Sequence, residues 1–483
     1  MTIDAIRRNV AAAGLGAALL GSGCATNPAT GERELSLIGE QQEIAMGRQA
    51  DRDVQATIGV YDDPGLQAYV EGVGARLAAA SERPDLPWTF RVADDPAVNA
   101  FALPGGFIYV TRGLLATMNS EAELAAVVGH EIGHVTARHA VNRISRAQLA
   151  GLGLGIGMIL SPELAQFGDL ASLGLNLLFL KYSRDDERES DVLGLRYVRG
   201  AGYDPDAMVD VFAQLERASG LSGSERVPDW LATHPAPEER GQRAADALAA
   251  LPPAEREGTV AREAYQRQLD GLVYGQDPRQ GFFRNNELIH PELRFRMAFP
   301  SGWRAVNQRQ QVLALSPQQD ALEVLTLSEA QTADAAARAF AASSAVRTSG
   351  FTRGTSNGLA VRVAEFEALA QDNSVLAGLV MFVEHGGQIY QVIGYGPRSR
   401  WRSHADAVER SLSSFRPLTD PALLAERPDR IDLVTLSSAM TVEEFVGRYP
   451  STIPAEQVAL INAVSSGTPL EAGRIVKRVV EGR

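Results

Sequence analysis

Residues 130 to 134 read His-Glu-Ile-Gly-His, two imidazoles four positions apart with a carboxylate between them. On a helix that spacing puts both rings on one face, one turn apart, where they can grip a single divalent cation, zinc above all. Glu131 then projects to the side of the pair, able to take a proton from water beside the cation without binding it. The chain has 7 histidines in 483 residues, so a chance match to the pattern arises in roughly one such sequence per hundred.

A helix must carry this pattern. Leu124, Val127, Val128, Ile132 and Val135 recur at helical intervals and predict one amphipathic helix, running on through Arg143. Ser120 with Glu123 three residues later is a capping box at its start. Gly129 and Gly133 interrupt an alanine-rich stretch and point to close backbone approach. His139 lies five residues after His134, about 140° round the helix, and cannot close the same site while the helix holds. Position 140 is Ala, which excludes the longer pattern with a third histidine six residues on.

A carboxylate from a second helix is the other solution. The charged segment Tyr182 to Asp191 supplies it. Glu187 and Asp191 are four apart and share a face, so one can bind the cation while the other accepts a hydrogen bond from a ligating imidazole; Glu189 points elsewhere. Such runs are usually solvated helices, but this one follows the apolar stretch Leu170 to Leu180. Just before the metal helix, Phe101 and Leu103 alternate, Gly105-Gly106 turn, and Phe107, Tyr109 and Val110 return as a short hairpin. Its edge could pair with an extended peptide, or the hairpin could be plain core.

The helix with His130, Glu131 and His134, followed by Ser183-Arg184 and the Glu187 and Asp191 pair, resembles the zinc metalloprotease family of the CAAX prenyl proteases and the bacterial β-barrel assembly-enhancing protease. The likeness runs from about residue 28 to 245 and takes in Asn27-Pro28-Ala29-Thr30-Gly31, Asn99 to Gly106, and Thr233-His234-Pro235 with Arg240. Position 190 is Ser where the family usually has Ala. The resemblance implies one zinc ion per chain, held by His130, His134 and Glu187, with Asp191 behind a ligand and Glu131 as the catalytic acid–base group. It implies peptide-bond hydrolysis in polypeptide substrates, bound beside Asn99 and Arg240, although an arginine after His-Pro could equally form an interdomain salt bridge. Tyr182 falls at the same cleft. In such relatives the counterpart of His234 can take a fourth zinc position and hold the enzyme latent; a loop histidine with no metal role is the other reading.

The start of the chain speaks to location. Arg7 and Arg8, the apolar run Val10 to Leu20 and the small residues before Cys24 form an export signal over residues 1–23. Cys24 is the sole cysteine, so no disulfide can form within the chain, and its position resembles a bacterial lipoprotein box, with Gly21 where Leu is commonest. A lipidated Cys24 followed by Ala25 implies anchoring to the inner leaflet of the outer membrane, facing the periplasm. The apolar segments Leu149 to Leu160 and Leu170 to Leu180 fall short of the ~20 residues that a membrane helix needs and read as a buried or cleft-covering element.

Length predicts about three domains, and 45% hydrophobic content permits real cores. A net charge of −13 argues against nucleic acid as a partner. The fold class expected is α+β multidomain: a mainly helical zincin-type domain at 40–275 after a linker at 24–39, an α+β sheet domain at 285–420, and a small unit at 428–483. In the middle unit, strands are expected at Leu293 to Phe299, Leu322 to Leu327, Leu359 to Phe366, Leu379 to Val383 and Ile389 to Gly394, with helices at Ala333 to Val346 and Trp401 to Phe415. The last unit reads strand, helix, helix, strand and resembles LysM, the peptidoglycan-binding βααβ module. No tandem helical hairpins are visible there. Two functions remain: a zinc endopeptidase of the cell envelope acting on unfolded or misassembled exported proteins, or a latent metalloprotease-like lipoprotein serving as a scaffold that binds peptidoglycan or the outer-membrane assembly machinery.

Overall fold

The computed structural model describes residues 24–149, 182–221, 234, 237–344, 346–369, 374–465 and 467–482. The expected export signal lies outside them, as do nearly all of the two apolar stretches between 149 and 180, and Thr233 and Pro235. No helix among the described residues is long and apolar enough to cross a membrane.

The chain opens with strands β1 (Cys24–Thr26) and β2 (Arg33–Leu35), an antiparallel pair closed by the turn Asn27-Pro28-Ala29-Thr30-Gly31. Helices α1 (Glu40–Thr57) and α2 (Pro64–Ala79) follow, the second started by Asp63, whose side chain accepts from the Leu66 amide. Strands β3 (Thr89–Ala93), β4 (Ala100–Leu103) and β5 (Phe107–Thr111) form a small sheet ordered β3-β5-β4. The expected hairpin is β4 with β5, antiparallel across Gly105-Gly106; the parallel partner β3 was not anticipated.

Next come α3 (Arg112–Thr117), α4 (Glu121–Thr136), α5 (His139–Leu149), α6 (Arg184–Gly200), α7 (Ala207–Leu221), α8 (Pro237–Ala249) and α9 (Arg262–Gln268). Every residue of α4 is buried. The expectation of a helix with one face to solvent is therefore corrected: alanines and glycines fill positions between the large apolar residues, and even its polar side chains, His130, Glu131 and His134 among them, are buried. Ser120 caps it as expected, its Oγ accepting from the Glu123 amide at 3.1 Å, but the Glu123 carboxylate reaches one residue further back, to the Asn119 amide at 2.8 Å.

One expected feature fails. The helix does not run on to Arg143 but stops at Thr136, and Arg138 turns the chain with a φ of +56° before α5 begins. A non-glycine residue rarely adopts that conformation without support. Here the Arg138 guanidinium donates to Glu43 Oε2 at 2.9 Å and to the Ile38 carbonyl at 2.6 Å, contacts from segments about a hundred residues away.

Beyond lie β6 (Phe282–Arg284), β7 (Glu287–His290), β8 (Phe295–Ala298), β9 (Arg304–Asn307), β10 (Gln311–Leu315), β11 (Leu322–Ser328), α10 (Ala333–Ala341), β12 (Val346–Thr348), β13 (Thr352–Ser356), β14 (Leu359–Leu369), β15 (Val375–His385), β16 (Gln388–Pro397), α11 (Ala405–Ser414) and β17 (Arg416–Pro417). An antiparallel sheet runs β12-β14-β15-β16-β11-β10-β9 with β13 also on β14, and a second runs β17-β8-β7-β6. Alternate residues of β15 feed opposite cores: Val380 and Phe382 meet α10 through Ala333 and Ala336, while Met381 and Val383 meet Val408 and Leu412 of α11. The expected strands are present. The two expected helices are shorter, since α10 ends at Ala341 and α11 starts only at Ala405.

The chain closes with β18 (Asp429–Thr435), α12 (Val442–Arg448), α13 (Ala455–Ile461) and β19 (Ile475–Glu481), the two strands antiparallel. This unit is fastened to the helical one. Gly271 and Leu272 exchange backbone hydrogen bonds with Ile431, and the fully buried Lys477 ammonium donates to the carbonyls of Ala116 and Met118 at 2.8 and 2.7 Å, just ahead of α4.

Candidate metal centre

The crossing of α4 and α6 builds the site. A Cβ on Gly133 would stand 3.0 Å from the Cα of Ser190, and one on Gly194 2.9 Å from the His130 amide nitrogen. Backbone therefore meets backbone, as the two glycines of α4 suggest. Ser183 starts α6 with a capping box, accepting from the Asp186 amide while the Asp186 side chain accepts from the Ser183 amide. Glu187, one residue later, is thereby brought onto the face of α4 that carries His130 and His134.

Four side chains converge there. His130 Nε2 lies 3.0 Å from His134 Nε2 and 3.3 Å from His234 Nδ1. Glu187 Oε1 lies 2.9 Å from His234 Nδ1 and 3.6 Å from His134 Nε2, and its Oε2 lies 3.6 Å from His130 Nε2. All four residues are buried, and their ligand atoms lie within 4.8 Å of one another. A tetrahedral zinc ion bound at about 2.0–2.1 Å keeps its donors roughly 3.3 Å apart, close to this spacing. A neutral imidazole has one N–H, so three ring nitrogens meeting at one point cannot all be paired by hydrogen bonds. Lone pairs of three nitrogens and a carboxylate fit zinc.

Glu131 stands beside this cluster, fully buried, and neither of its carboxylate oxygens has a hydrogen-bond partner. Its Oε1 is 3.7 Å from His234 Nε2. Burial pushes its carboxyl up. Burial, followed by the neighbouring His130 and His139 rings, holds the His134 imidazole well below its ordinary value, so the ring is neutral and ready to ligate.

Behind the ligands, His130 Nδ1 lies 3.0 Å from Asp191 Oδ1. Arg240 is buried: it ion-pairs with Glu187 Oε2 at 2.9 Å, donates to both oxygens of Asp191 at 2.6 and 2.9 Å, and lies 4.7 Å over the Phe212 ring. Burial alone would raise Asp191, but the Arg240 guanidinium and His130 outweigh it and hold the carboxyl down at about 2. Glu187 is likewise held low, burial being outweighed by His234 and then Arg240. Tyr182 stacks on His134 with ring centres 3.9 Å apart. Asn99 is tied by its backbone to Thr111 at the entry of β4, and its side-chain oxygen is buried without a hydrogen-bond partner.

His139 is not where helical spacing puts it. The break at Arg138 swings it back so that its Nδ1 lies 2.9 Å from His134 Nδ1, on the side of the ring away from the cluster. It is an outer neighbour of a ligand and not itself among the four converging groups. Glu189 does point away from the cluster, toward His139 Nε2 at 3.3 Å. Local sequence gives no hint of the break, since Ala137-Arg138 contains neither glycine nor proline. The usable signal is that residues 130–139 hold 3 of the 7 histidines.

Strand β4 is an edge of its sheet, packed against α4, with all four side chains buried. A small cavity between it and the helix break is lined by Leu103, Pro104, His134, Arg138, Val141 and Tyr182.

Comparison with known proteins follows this geometry. Residues 64–248 match Peptidase family M48. The mitochondrial metalloendopeptidase OMA1 of Arabidopsis thaliana is 35% identical over 189 residues, which are 39% of this chain and 37% of the relative. The β-barrel assembly-enhancing protease of Yersinia pestis is 32% identical over 208 residues, 41% of this chain and 42% of the relative. Its Escherichia coli namesake is 29% identical over 223 residues, 44% of this chain and 45% of the relative. The chain thus spans about two fifths of the length of these curated relatives, and the family match at residues 64–248 falls on the helical unit with the metal centre.

Proposed function

We propose that this chain, whose residues 64–248 belong to peptidase family M48, is a zinc-dependent endopeptidase of the bacterial cell envelope that cleaves unfolded or misassembled exported polypeptides. The observation that carries this reading is the convergence of His130, His134, Glu187 and His234 on one point, with the unpartnered carboxylate of Glu131 beside it. The names of the bacterial relatives, which couple proteolysis to β-barrel assembly, support the envelope role.

His130, His134 and Glu187 would hold the zinc. So held, the ion supplies Lewis acidity at a reacting carbonyl and acidifies water. Glu131 takes the proton of the attacking water on a carboxylate oxygen and delivers it to the leaving nitrogen. Its burial favours the first half of that task, because a carboxylate whose proton affinity is raised by burial is a better base. The edge of β4 offers main-chain groups to an extended peptide, a mode indifferent to side chains and suited to varied substrates, with Asn99 at its entry. Arg240 serves this reading best as the cation that keeps Glu187 and Asp191 ionised and oriented, a more remote role than substrate binding.

His234 favours a second state of the same enzyme. Its Nδ1, 3.3 Å from His130 Nε2 and 2.9 Å from Glu187 Oε1, supports the reading that His234 would take the place at the metal that water or substrate needs and so hold a latent state. The finer assignments rest on sequence: export through residues 1–23, lipidation of Cys24 with an outer-membrane anchor, domain limits at 40–275, 285–420 and 428–483, and peptidoglycan binding by the βααβ unit.

The test is metal content together with casein cleavage by the parent and Glu131→Gln. The variant is expected to keep one zinc per chain and to lose about 10²–10⁴-fold in rate, the usual worth of a positioned acid–base group. A variant that still cleaved casein at the parental rate would end the assignment of Glu131.

A further inference from the structure

We propose that His139 is a positioning residue for His134, itself held by Glu189 and Asn27, so that the amino-terminal turn governs how firmly the site grips its metal. The proposal rests on the reading that His130, His134 and Glu187 hold zinc. It starts from the protons. His134 turns Nε2 toward the ligand cluster, 3.0 Å from His130 Nε2, so a neutral His134 that ligates through Nε2 carries its hydrogen on Nδ1. That N–H donates to His139 Nδ1 at 2.9 Å. A neutral His139 that accepts on Nδ1 must carry its own hydrogen on Nε2, which faces Glu189 Oε2 at 3.3 Å. The other oxygen of Glu189 accepts from the Asn27 side-chain amide at 3.3 Å. Each group has one role, and no step asks a ring for a second hydrogen.

The fold holds every link of this chain. His139 is 4% exposed and Asn27 2%. Asn27 is fixed as the first residue of its turn, its Oδ1 accepting from the amides of Ala29 at 2.8 Å and Thr30 at 3.3 Å, which aims the amide nitrogen at Glu189 and at the Ala137 carbonyl 3.5 Å away. Ala137 is the cap of the metal helix, so the same side chain touches both the helix end and the carboxylate. Ser190 Oγ, 3.4 Å from His139 Nδ1, completes the surroundings of that ring. The two ligand histidines are thus oriented by different means: His130 directly by Asp191, His134 through an imidazole and then a carboxylate. Outer partners of this kind fix the tautomer and raise ligand basicity, and their loss commonly lowers metal affinity about 10–100-fold.

The experiment measures zinc affinity of the full chain by competition with a chromophoric chelator, and the absorption spectrum of the cobalt-substituted protein. His139→Ala is expected to weaken zinc binding by about tenfold or more and to alter the cobalt bands, whereas His139→Asn, whose Oδ1 replaces Nδ1 as acceptor, stays within about threefold of the parent. Asn27→Ala is expected to weaken binding about threefold in the parent and not at all in His139→Ala, because the link it acts through is gone. A residue that only supported the fold would lower the unfolding temperature of the metal-free protein equally in the Ala and Asn variants and leave the cobalt bands alone; that result overturns the proposal. So does His139→Ala binding zinc as tightly as the parent while His134→Ala does not bind it, an outcome that leaves the zinc reading intact. A parent chain that bound no zinc would remove both.

Discussion

Nδ1 of His234 lies 2.9 Å from Oε1 of Glu187, so a residue from the segment just ahead of α8 stands against the carboxylate of α6 that faces His130 and His134. Where a closed arrangement outweighs an open one by about ten to one, removing the closing group raises kcat/KM about tenfold. His234→Ala is expected to do so in a casein assay without changing zinc stoichiometry. An unchanged or lower rate would mean that His234 does not close the site.

Arg240 is the cation shared by two buried carboxylates, and Arg240→Met leaves both without it. Stranding a buried charge costs about 3–5 kcal/mol, and the loss is expected as a lower unfolding temperature of the metal-free protein. The acid side carries a second signature. Asp191 is held at about 2 against an ordinary 3.8, so its contribution is present above pH 4 and disappears as pH falls through 2. In the variant that acid-side slope should be absent. Equal unfolding temperatures at neutral pH would contradict the role given to Arg240.

Glu323 of β11 is fully buried, with Ser411 Oγ donating to its Oε1 at 2.6 Å, and burial pushes its carboxyl up to about 8. The folded chain therefore keeps a proton there that the unfolded chain releases above about pH 4.5. The contribution of Glu323 to stability is greatest below that pH and falls by roughly 1.4 kcal/mol per pH unit until the folded group ionises near 8. Glu323→Gln is expected to flatten this slope in thermal unfolding between pH 5 and 8. Parallel curves for parent and variant would show that Glu323 does not set it.

Lys477 carries the docking of the last unit onto the segment ahead of the metal helix. Burial pulls its ammonium down, and its hydrogens satisfy the carbonyls of Ala116 and Met118. Lys477→Met would leave two buried carbonyls unpaired, at about 1–3 kcal/mol each. The expected result is faster proteolytic cutting between β17 and β18. Cutting at the parental rate would place the fastening elsewhere, in the backbone pairs of Ile431 with Gly271 and Leu272.

The metal pair was readable because His130 and His134 obey a local rule, and Ser120 marked where their helix begins. Runs of apolar residues did as much for β14 to β16, where each strand has one face to each of two cores. The helix break was not readable, because Arg138 adopts its left-handed conformation through Glu43 and Ile38, which no window around position 138 contains. The exclusion of His139 from the ligand set agrees with the four converging groups, but its contact with His134 was hidden for that reason. Strand β3 escaped notice since its parallel pairing with β5 needs no turn to announce it, and β9 and β13 carry too many exposed residues to stand out from loops.

Where α4 and α6 cross, the peptide backbone of one helix rests on that of the other. The separation of the two helices that carry the imidazoles and the carboxylate is thus gauged by the skeleton of the molecule. A single methyl group added at position 133 would act as a shim, carrying Glu187 outward from both histidines in one rigid movement while leaving each ligand chemically intact, and so would favour a wider ion over zinc.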